Sequence, residues 1–195
     1  MNILIINGYE TYAGVGEGRL NSSLCEIASD ILSGKNHTIQ TTIVEQCYDA
    51  PSEVEKLLWA DTVIFQTPVY WFGVPAIFKT YMDKVCTLGY ATGKFATGDG
   101  RSRENSELKY GSGGLLKNKK YMVSSTWNAP KSVFDNKAEF LEGLSVDDAL
   151  CQIHKTYQFL GMNKIPSFAV FDVFISSEEV AVQVEDFNKH IEKNF

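Results

Sequence analysis

The chain has 195 residues, of which 44% are hydrophobic and 22% are charged, and this composition fits one globular domain with a buried core. Its 18 basic and 24 acidic residues give a net charge of −6 without a dense basic run, which makes nucleic acid and anionic membrane poor partners. The apolar start lacks a basic leader, and no later stretch approaches membrane-spanning length, so we expect a cytoplasmic protein without a membrane span.

The cysteines and histidines do not suggest a metal centre. Cys25, Cys47, Cys86 and Cys151 are scattered, without a Cys-x-x-Cys pair and without a histidine at zinc-ligand spacing. Three histidines are too few to favour a multi-histidine site. We therefore expect no bound metal and reduced, mostly packed thiols.

Strand and helix patterns alternate along the first half of the chain. A continuous apolar run at 3–6 is typical of a strand buried on both faces of a parallel sheet. Helical spacing at 20–34 leads to a β-branched strand at 38–44 and to a helix at 52–59, for which Ser52 is the expected N-cap and Glu55 completes a capping box. The pattern then predicts a buried strand at 61–67 and a helix at 75–88.

The alternation stops at 89–120, a segment with seven glycines and little periodicity, and resumes afterwards. A loop this long in a compact domain is usually functional. The remaining patterns predict strands at 121–125 and 167–171 and helices at 146–160 and 178–193. The sequence thus predicts an α/β fold, a doubly wound five-stranded parallel sheet with helices on both faces. We expect the chain to form a single domain over 1–195 with a long loop insertion at about 89–118.

The loop after the first strand is a candidate phosphate site, because ligands of open parallel sheets bind beyond the carboxyl ends of the strands. This loop leads into a helix start at 20–23, where free backbone N–H groups, hydroxyls and Arg19 can hold a phosphate. It has neither a Walker motif nor a Gly-x-Gly-x-x-Gly motif. For Asn21 or Ser22 taken singly, simple helix capping is the better explanation, and only the position after the first strand favours phosphate.

Two further loops carry aromatic residues next to prolines. The loop after the third strand reads TPVYWFGVP at 67–75, and the loop after the fourth reads TWNAP at 126–130. Exposed aromatic surface is costly in water, so the two loops predict a slot for a flat ligand. Core or dimer packing is the alternative, and we favour it for Phe72. Tyr110 is a further candidate for stacking, or a surface tyrosine, and His154 is a weaker candidate proton donor.

Five segments carry a resemblance to the flavodoxin-like NAD(P)H dehydrogenase (quinone) family, which includes DT-diaphorase. They read FQTPVYWFGVP at 65–75, DGRSR at 99–103, KYGSGGL at 109–115, STWNAP at 125–130 and QFLGM at 158–162. The resemblance spans nearly the whole chain. It implies a flavodoxin-like fold, bound FAD rather than FMN, and a homodimer with active sites at the subunit interface. It also implies two-electron reduction of quinones by NADPH in alternating hydride transfers.

The resemblance assigns cofactor contacts residue by residue. The pyrophosphate and adenosine side falls on Gly18, Arg19, Leu20, Asn21, Ser22 and Ser23. The isoalloxazine side falls on Pro68, Val69, Tyr70, Trp71, Phe72, Tyr110, Thr126, Trp127, Asn128 and Ala129. We expect Tyr110, near the other subunit, and Asn128 to support charge during catalysis. Residues 12–17 depart from the family, because they lack the histidine or serine that often touches phosphate there.

Rival functions remain open at this point. A flavodoxin-fold azo- or nitro-reductase with FMN shares substrates with quinone reductases, and a flavin electron carrier without its own turnover has the same slot. The sequence does not decide between NADPH and NADH. Arg101 and Arg103 can bind a 2′-phosphate, but a solvated charge cluster or a dimer contact explains them better.

Overall fold

The sheet of this protein is parallel, with strand order 2-1-3-4-5, in a computed structural model that describes residues 1–14 and 16–195. In those ranges the strands are β1 (Asn2–Asn7), β2 (Thr38–Ile43), β3 (Thr62–Pro68), β4 (Lys120–Thr126), β5 (Asn163–Lys164) and β6 (Phe168–Val170). Both β5 and β6 pair with β4, so they share the fifth position of the sheet. The predicted doubly wound α/β fold is confirmed.

The fifth position differs from the expected single strand at 167–171. β5 pairs with the start of β4 and β6 pairs with its end, and Pro166 lies between them. Proline has no N–H for the ladder and is tolerated at a sheet edge. The interruption therefore splits the strand without opening the sheet.

Helices cover both faces of the sheet. Over the described residues they are α1 (Arg19–Gly34), α2 (Ala50–Trp59), α3 (Ala76–Ala91), α4 (Val146–Ala149), α5 (Cys151–Phe159) and α6 (Ser177–Asn194), with one 3₁₀ turn at Lys131–Val133. Ile3 and Ile5 pack under α1 and α6, whereas Leu4 and Ile6 face α2, α3 and α5. Both faces of β1 are therefore apolar, as the continuous run predicted. The helix expected at 146–160 is broken at Leu150.

The N-cap expected for α2 is wrong. The helix begins at Ala50, and the cap is Asp49, whose carboxylate accepts hydrogen bonds from the backbone N–H and the hydroxyl of Ser52. A carboxylate is favoured at this position because it satisfies a free N–H and opposes the positive end of the helix dipole. Glu55 instead pairs with Lys94.

The long segment between α3 and β4, residues 92–119, is an excursion from the sheet whose two ends are held together by backbone hydrogen bonds. Thr97 donates to the carbonyl of Gly113, and Leu115 donates to the carbonyl of Phe95. Phe95 is fully buried, so its ring anchors the base of this excursion in the core. Its tip, which includes Tyr110, remains exposed.

His154 lies in a buried polar cluster at the amino end of β4. Its Nδ1 is 3.0 Å from the Tyr121 hydroxyl, and its Nε2 is 3.0 Å from Asp147 Oδ1. Asp147 also accepts from Lys164 and Ser167. Tyr121 and Thr126 are five residues apart on one strand, about 16 Å, so the cluster is remote from the carboxyl ends of the sheet. His154 is thereby placed in a structural cluster and not near the candidate site.

The Asp147 cluster makes stability depend on pH. Hydrogen bonds from His154, and then from Lys164 and Ser167, hold the pKa of Asp147 well below its ordinary value of 3.8. The ionised carboxylate therefore stabilises the folded state above that value, and this contribution is lost as the pH falls through the lower folded pKa.

We expect Asp147→Asn to lower the free energy of unfolding by about 1–2 kcal/mol at pH 7, since Asp147 is partly exposed and the loss is screened. Urea denaturation between pH 7 and pH 3 measures this, and the difference from wild type should shrink below about pH 4. Asp30→Asn, which changes an exposed carboxylate on α1, is the control. A difference that persists unchanged at pH 3 would contradict the assignment.

Candidate active site

A cleft of about 490 Å³ opens at the carboxyl ends of β1, β3, β4 and β6. Several predicted site residues line it, and they are Gly18, Arg19, Leu20, Asn21, Pro68, Val69, Tyr70, Thr126 and Asn128. The cleft therefore brings the first-strand loop together with the aromatic loop and the fourth-strand loop. Residues 12–17 contribute Gly14, Gly16 and Glu17, while Val15 lies outside the described residues.

The first turn of α1 presents free backbone donors to this cleft. Gly18 precedes the helix with φ 68°, and no side chain from the N-cap position bonds to the turn. The first helical bond runs from Ser22 N to Gly18 O, so the N–H groups of Arg19, Leu20 and Asn21 have no helical acceptor. Side chains of Asp49, Ser145 and Ser176 cap α2, α4 and α6, whereas α3 and α5, like α1, have no capping side chain at the N-cap position. The α1 turn therefore keeps donors that an anion can use.

Asn21 ties this turn to the sheet. Its side chain is almost fully buried, donates to Thr126 Oγ1 at 3.2 Å and accepts from Gln66 Nε2 at 2.8 Å. Ser22 accepts from Asn7 Nδ2 at 3.3 Å, so it also faces the sheet instead of the cleft. Ser23 is exposed and does not line the cleft. Asn21 and Ser22 thus act mainly as anchors of the turn.

The aromatic loop after β3 forms a tight turn. Tyr70 and Gly73 exchange two backbone hydrogen bonds, and the two residues between them have positive φ, 50° at Trp71 and 64° at Phe72. This arrangement corresponds to a type I′ turn, which normally takes glycine or asparagine. Bulky residues there store about 1–3 kcal/mol of strain each. Strain of this size at the edge of a cleft favours a functional reason for the two aromatic rings.

The three aromatic side chains of this turn have different surroundings. The Tyr70 ring meets Tyr12 edge-on at 5.2 Å, and its hydroxyl donates to the carbonyl of Glu10. Burial, followed by the nearby Tyr12 and Glu10, raises the pKa of Tyr70, so the phenol stays a donor. Phe72 contacts Phe140 at 5.6 Å, whereas Trp71 is 95% exposed. Trp71 and Phe72 do not line the cleft within one chain.

The Trp127 ring does not form a wall of the cleft in this structure. The indole is 2% exposed, donates to Ser125 Oγ and packs edge-on against Phe134 at 4.9 Å. Its backbone N–H and carbonyl bond to Val170 and Val173. The preceding residue Thr126 and the following residue Asn128 line the cleft instead, and Ala129 does not.

One ion pair lies at the mouth of the cleft. Arg19 Nη2 is 2.7 Å from Glu17 Oε2, and both side chains are largely exposed. An exposed pair of this kind is weak because water and salt screen it. Arg19 can therefore exchange Glu17 for a phosphate at little cost.

Tyr110 lies away from the cleft of its own chain. It borders a groove of about 440 Å³ formed by α3 and α5, and its ring is 5.5 Å from Phe159. Phe159 in turn approaches Tyr90 at 6.4 Å. The structure thus does not bring Tyr110 and Asn128 together within one chain.

Sequence reasoning missed Val173 and Phe174, which line the cleft after β6. Phe174 is 66% exposed, while Val173 N donates to the carbonyl of Trp127 and fixes this stretch across the end of β4. A signal was present, because an apolar pair directly follows the last strand at the same edge of the sheet.

We expect Trp127→Ala to lower the free energy of unfolding by about 3–5 kcal/mol, since it empties a packed core position. Trp71→Ala should change it by less than about 0.5 kcal/mol, because the ring is exposed and the turn keeps its positive φ. Urea denaturation of both variants measures the contrast. Equal losses in the two variants would contradict the placements.

The comparisons with known proteins agree with this fold. A family model described as a flavodoxin-like fold matches residues 1–195. An uncharacterised protein of Schizosaccharomyces pombe is 43% identical over 195 residues, which are 100% of this chain and 97% of that protein. The NADPH:quinone oxidoreductase MdaB of Haemophilus influenzae is 40% identical over 195 residues, 100% of both chains.

A solved structure shows the same fold. A candidate quinone reductase of Klebsiella pneumoniae superposes with a TM-score of 0.78 at 24% identity, over 99% of this chain and 84% of that chain. Among the described residues, no helix combines the length and the apolar character needed to cross a membrane. The chain belongs to the flavodoxin-like family, within the group of oxidoreductases that includes MdaB.

Proposed function

We propose that this protein catalyses the two-electron reduction of quinones by NAD(P)H through bound FAD. The observation that carries the proposal is one cleft that combines uncapped helix N–H groups with a strained aromatic turn beside it. The first feature suits the phosphates of a flavin nucleotide, and the second suits its planar ring. Full-length similarity to an NADPH:quinone oxidoreductase supports the same reaction.

The donor groups of the cleft fit the phosphates of FAD. The N–H groups of Arg19, Leu20 and Asn21 would hold them, and the Arg19 guanidinium would supply the positive charge. Gly18 is required before this turn, because a Cβ there would lie 2.4 Å from the Tyr9 ring. Since Asn21 anchors the turn in the sheet, the donors are held in place before the cofactor binds.

The ring of the flavin would lie between the loops after β3 and β4. In the described chain, the N–H groups of Trp71 and Phe72 have no hydrogen-bond acceptor, whereas those of Val69 and Tyr70 are bonded to Thr126 and Gly73. The exposed amide of Asn128 lines the cleft and can donate to the polar edge of the ring, and the N–H groups of Trp71 and Phe72 lie in the turn beside the cleft, within the same proposed contact. Bound flavin supplies hydride acceptance and donation, and the protein supplies position and charge stabilisation.

The proposal includes a ping-pong sequence and a homodimer. NAD(P)H and quinone occupy the same place over the ring in turn, and delivery of two electrons avoids a one-electron product. Tyr110, which lies outside its own cleft, serves the cleft of a second copy. The exposed rings of Tyr90 and Tyr110 beside Phe159 are suited to that interface.

We place the reaction in the cytoplasm. All four cysteines are free thiols, and burial raises the pKa of Cys25 and Cys86 to about 12, which makes these two unreactive. Free thiols suit a reducing compartment, which is also where NADPH is available.

The purified protein should contain FAD and consume NADPH with menadione at rates well above the buffer. Initial rates at several fixed quinone concentrations should give parallel double-reciprocal lines, and stopped-flow bleaching by NADPH and NADH ranks the two donors. Extracted FMN would instead support an azo- or nitro-reductase. Bound flavin without turnover would support an electron carrier, and a protein that stays colourless with added FAD would refute the proposal.

Phe174 provides a test of FAD against FMN. Its exposed ring extends the cleft beyond β4, and we expect it to meet the adenine half of a bound dinucleotide. We expect Phe174→Ala to weaken FAD binding about 5- to 100-fold, the range for loss of one stacked base, and to leave FMN binding unchanged. Ile175→Ala is the matched control, because Ile175 is 74% exposed and does not line the cleft. Equal loss of FAD and FMN affinity would contradict an adenine contact.

A further inference from the structure

Arg101 stacks on the exposed ring of Tyr110 in the excursion between α3 and β4, and the Arg101 side chain is also largely exposed. Asp99 accepts from Arg101 Nε at 3.0 Å, from Nη2 at 2.6 Å and from the backbone N–H at 2.9 Å. The guanidinium carbon lies 5.6 Å from the centre of the Tyr110 ring. Tyr110 also contacts Phe159, so its ring touches both the arginine and the helix α5.

The backbone beneath this stack is fixed by close packing. Gly111 N donates to the carbonyl of Asp99 at 2.7 Å. A Cβ on Gly100 would lie 2.5 Å from Gly113 N, and a Cβ on Gly113 would lie 2.2 Å from the carbonyl oxygen of Gly98. The two limbs of the excursion therefore meet backbone to backbone at the residues adjacent to Arg101 and Tyr110.

We propose that Arg101 is the positioning residue for Tyr110. Held by Asp99, the guanidinium supports the phenol ring and presents it at the α3–α5 groove in one orientation. The inference rests on the proposed function, in which Tyr110 serves the cleft of a second copy.

This arrangement requires arginine and not only a positive charge. The flat guanidinium can bond to a carboxylate through two N–H groups and stack on an aromatic ring at the same time. Lysine carries one ammonium, which can pair with Asp99 but cannot keep the ring in a fixed plane. Arg101→Lys should therefore behave like Arg101→Ala.

The test is a double-mutant cycle on the full-length protein with menadione as acceptor. Arg101→Ala and Arg101→Lys should each lower kcat/KM about two- to five-fold, the effect expected for an exposed cation–π contact. Tyr110→Ala should lower it more, and Arg101→Ala combined with Tyr110→Ala should be no worse than Tyr110→Ala alone. Lys109→Ala removes an equal charge next to Tyr110 and should leave kcat/KM unchanged.

Three kinetic outcomes overturn the inference. These are losses that multiply in the double variant, full rescue by Arg101→Lys, and no effect of Tyr110→Ala. If Tyr110→Ala has no effect, Tyr110 does not belong to the proposed site. The proposed function is tested separately, by flavin binding and turnover of the wild type.

A measurement without turnover keeps the inference testable even if quinone reduction is absent. Amide hydrogen exchange over residues 99–113 should become faster in Arg101→Ala and in Arg101→Lys but not in Lys109→Ala. Unchanged exchange in the two Arg101 variants would overturn the inference whatever the enzyme does.

Discussion

The buried Asn21 amide links the first turn of α1 to the ends of β3 and β4, and the geometry of the cleft depends on that link. Asn7, Gln66 and Ser124 lie side by side in the register of the sheet, so a polar row crosses an otherwise apolar face. Buried polar groups cost about 1–3 kcal/mol each when unpaired, and Asn21 offsets part of this cost. The same bonds fix the helix turn over the strand ends.

The helices around this anchor differ in whether a side chain caps the N-terminus. Carboxylate or hydroxyl side chains cap α2, α4 and α6, whereas α1, α3 and α5 have no capping side chain, and the open turn of α1 lines the cleft. Trp71 and Phe72 remain in a strained turn beside the same cleft. The uncapped turn and the strained turn lie at the same edge of the sheet. Such unfavourable local geometry is expected where a bound ligand supplies the missing contacts.

The fold was largely predictable, because apolar runs and helical spacing report burial directly. The exposure of individual side chains and the full lining of the cleft were not predictable, because they depend on tertiary neighbours. Trp71 and Trp127 lie in similar loops that contain prolines. The Trp71 ring is solvent-exposed, whereas the Trp127 ring packs on Ser125 and Phe134. The three loops considered from the sequence meet at one cleft, and Val173 and Phe174 reach it only because β6 pairs with β4.

The central claim is that the anchored, uncapped turn of α1 holds the phosphates of a flavin nucleotide. A crystal structure of the protein with FAD tests it most directly. The account predicts phosphate oxygens within hydrogen-bond distance of the N–H groups of Arg19, Leu20 and Asn21, with the flavin ring between the loops after β3 and β4. Phosphates bound elsewhere, with the α1 turn contacting only water, would contradict it.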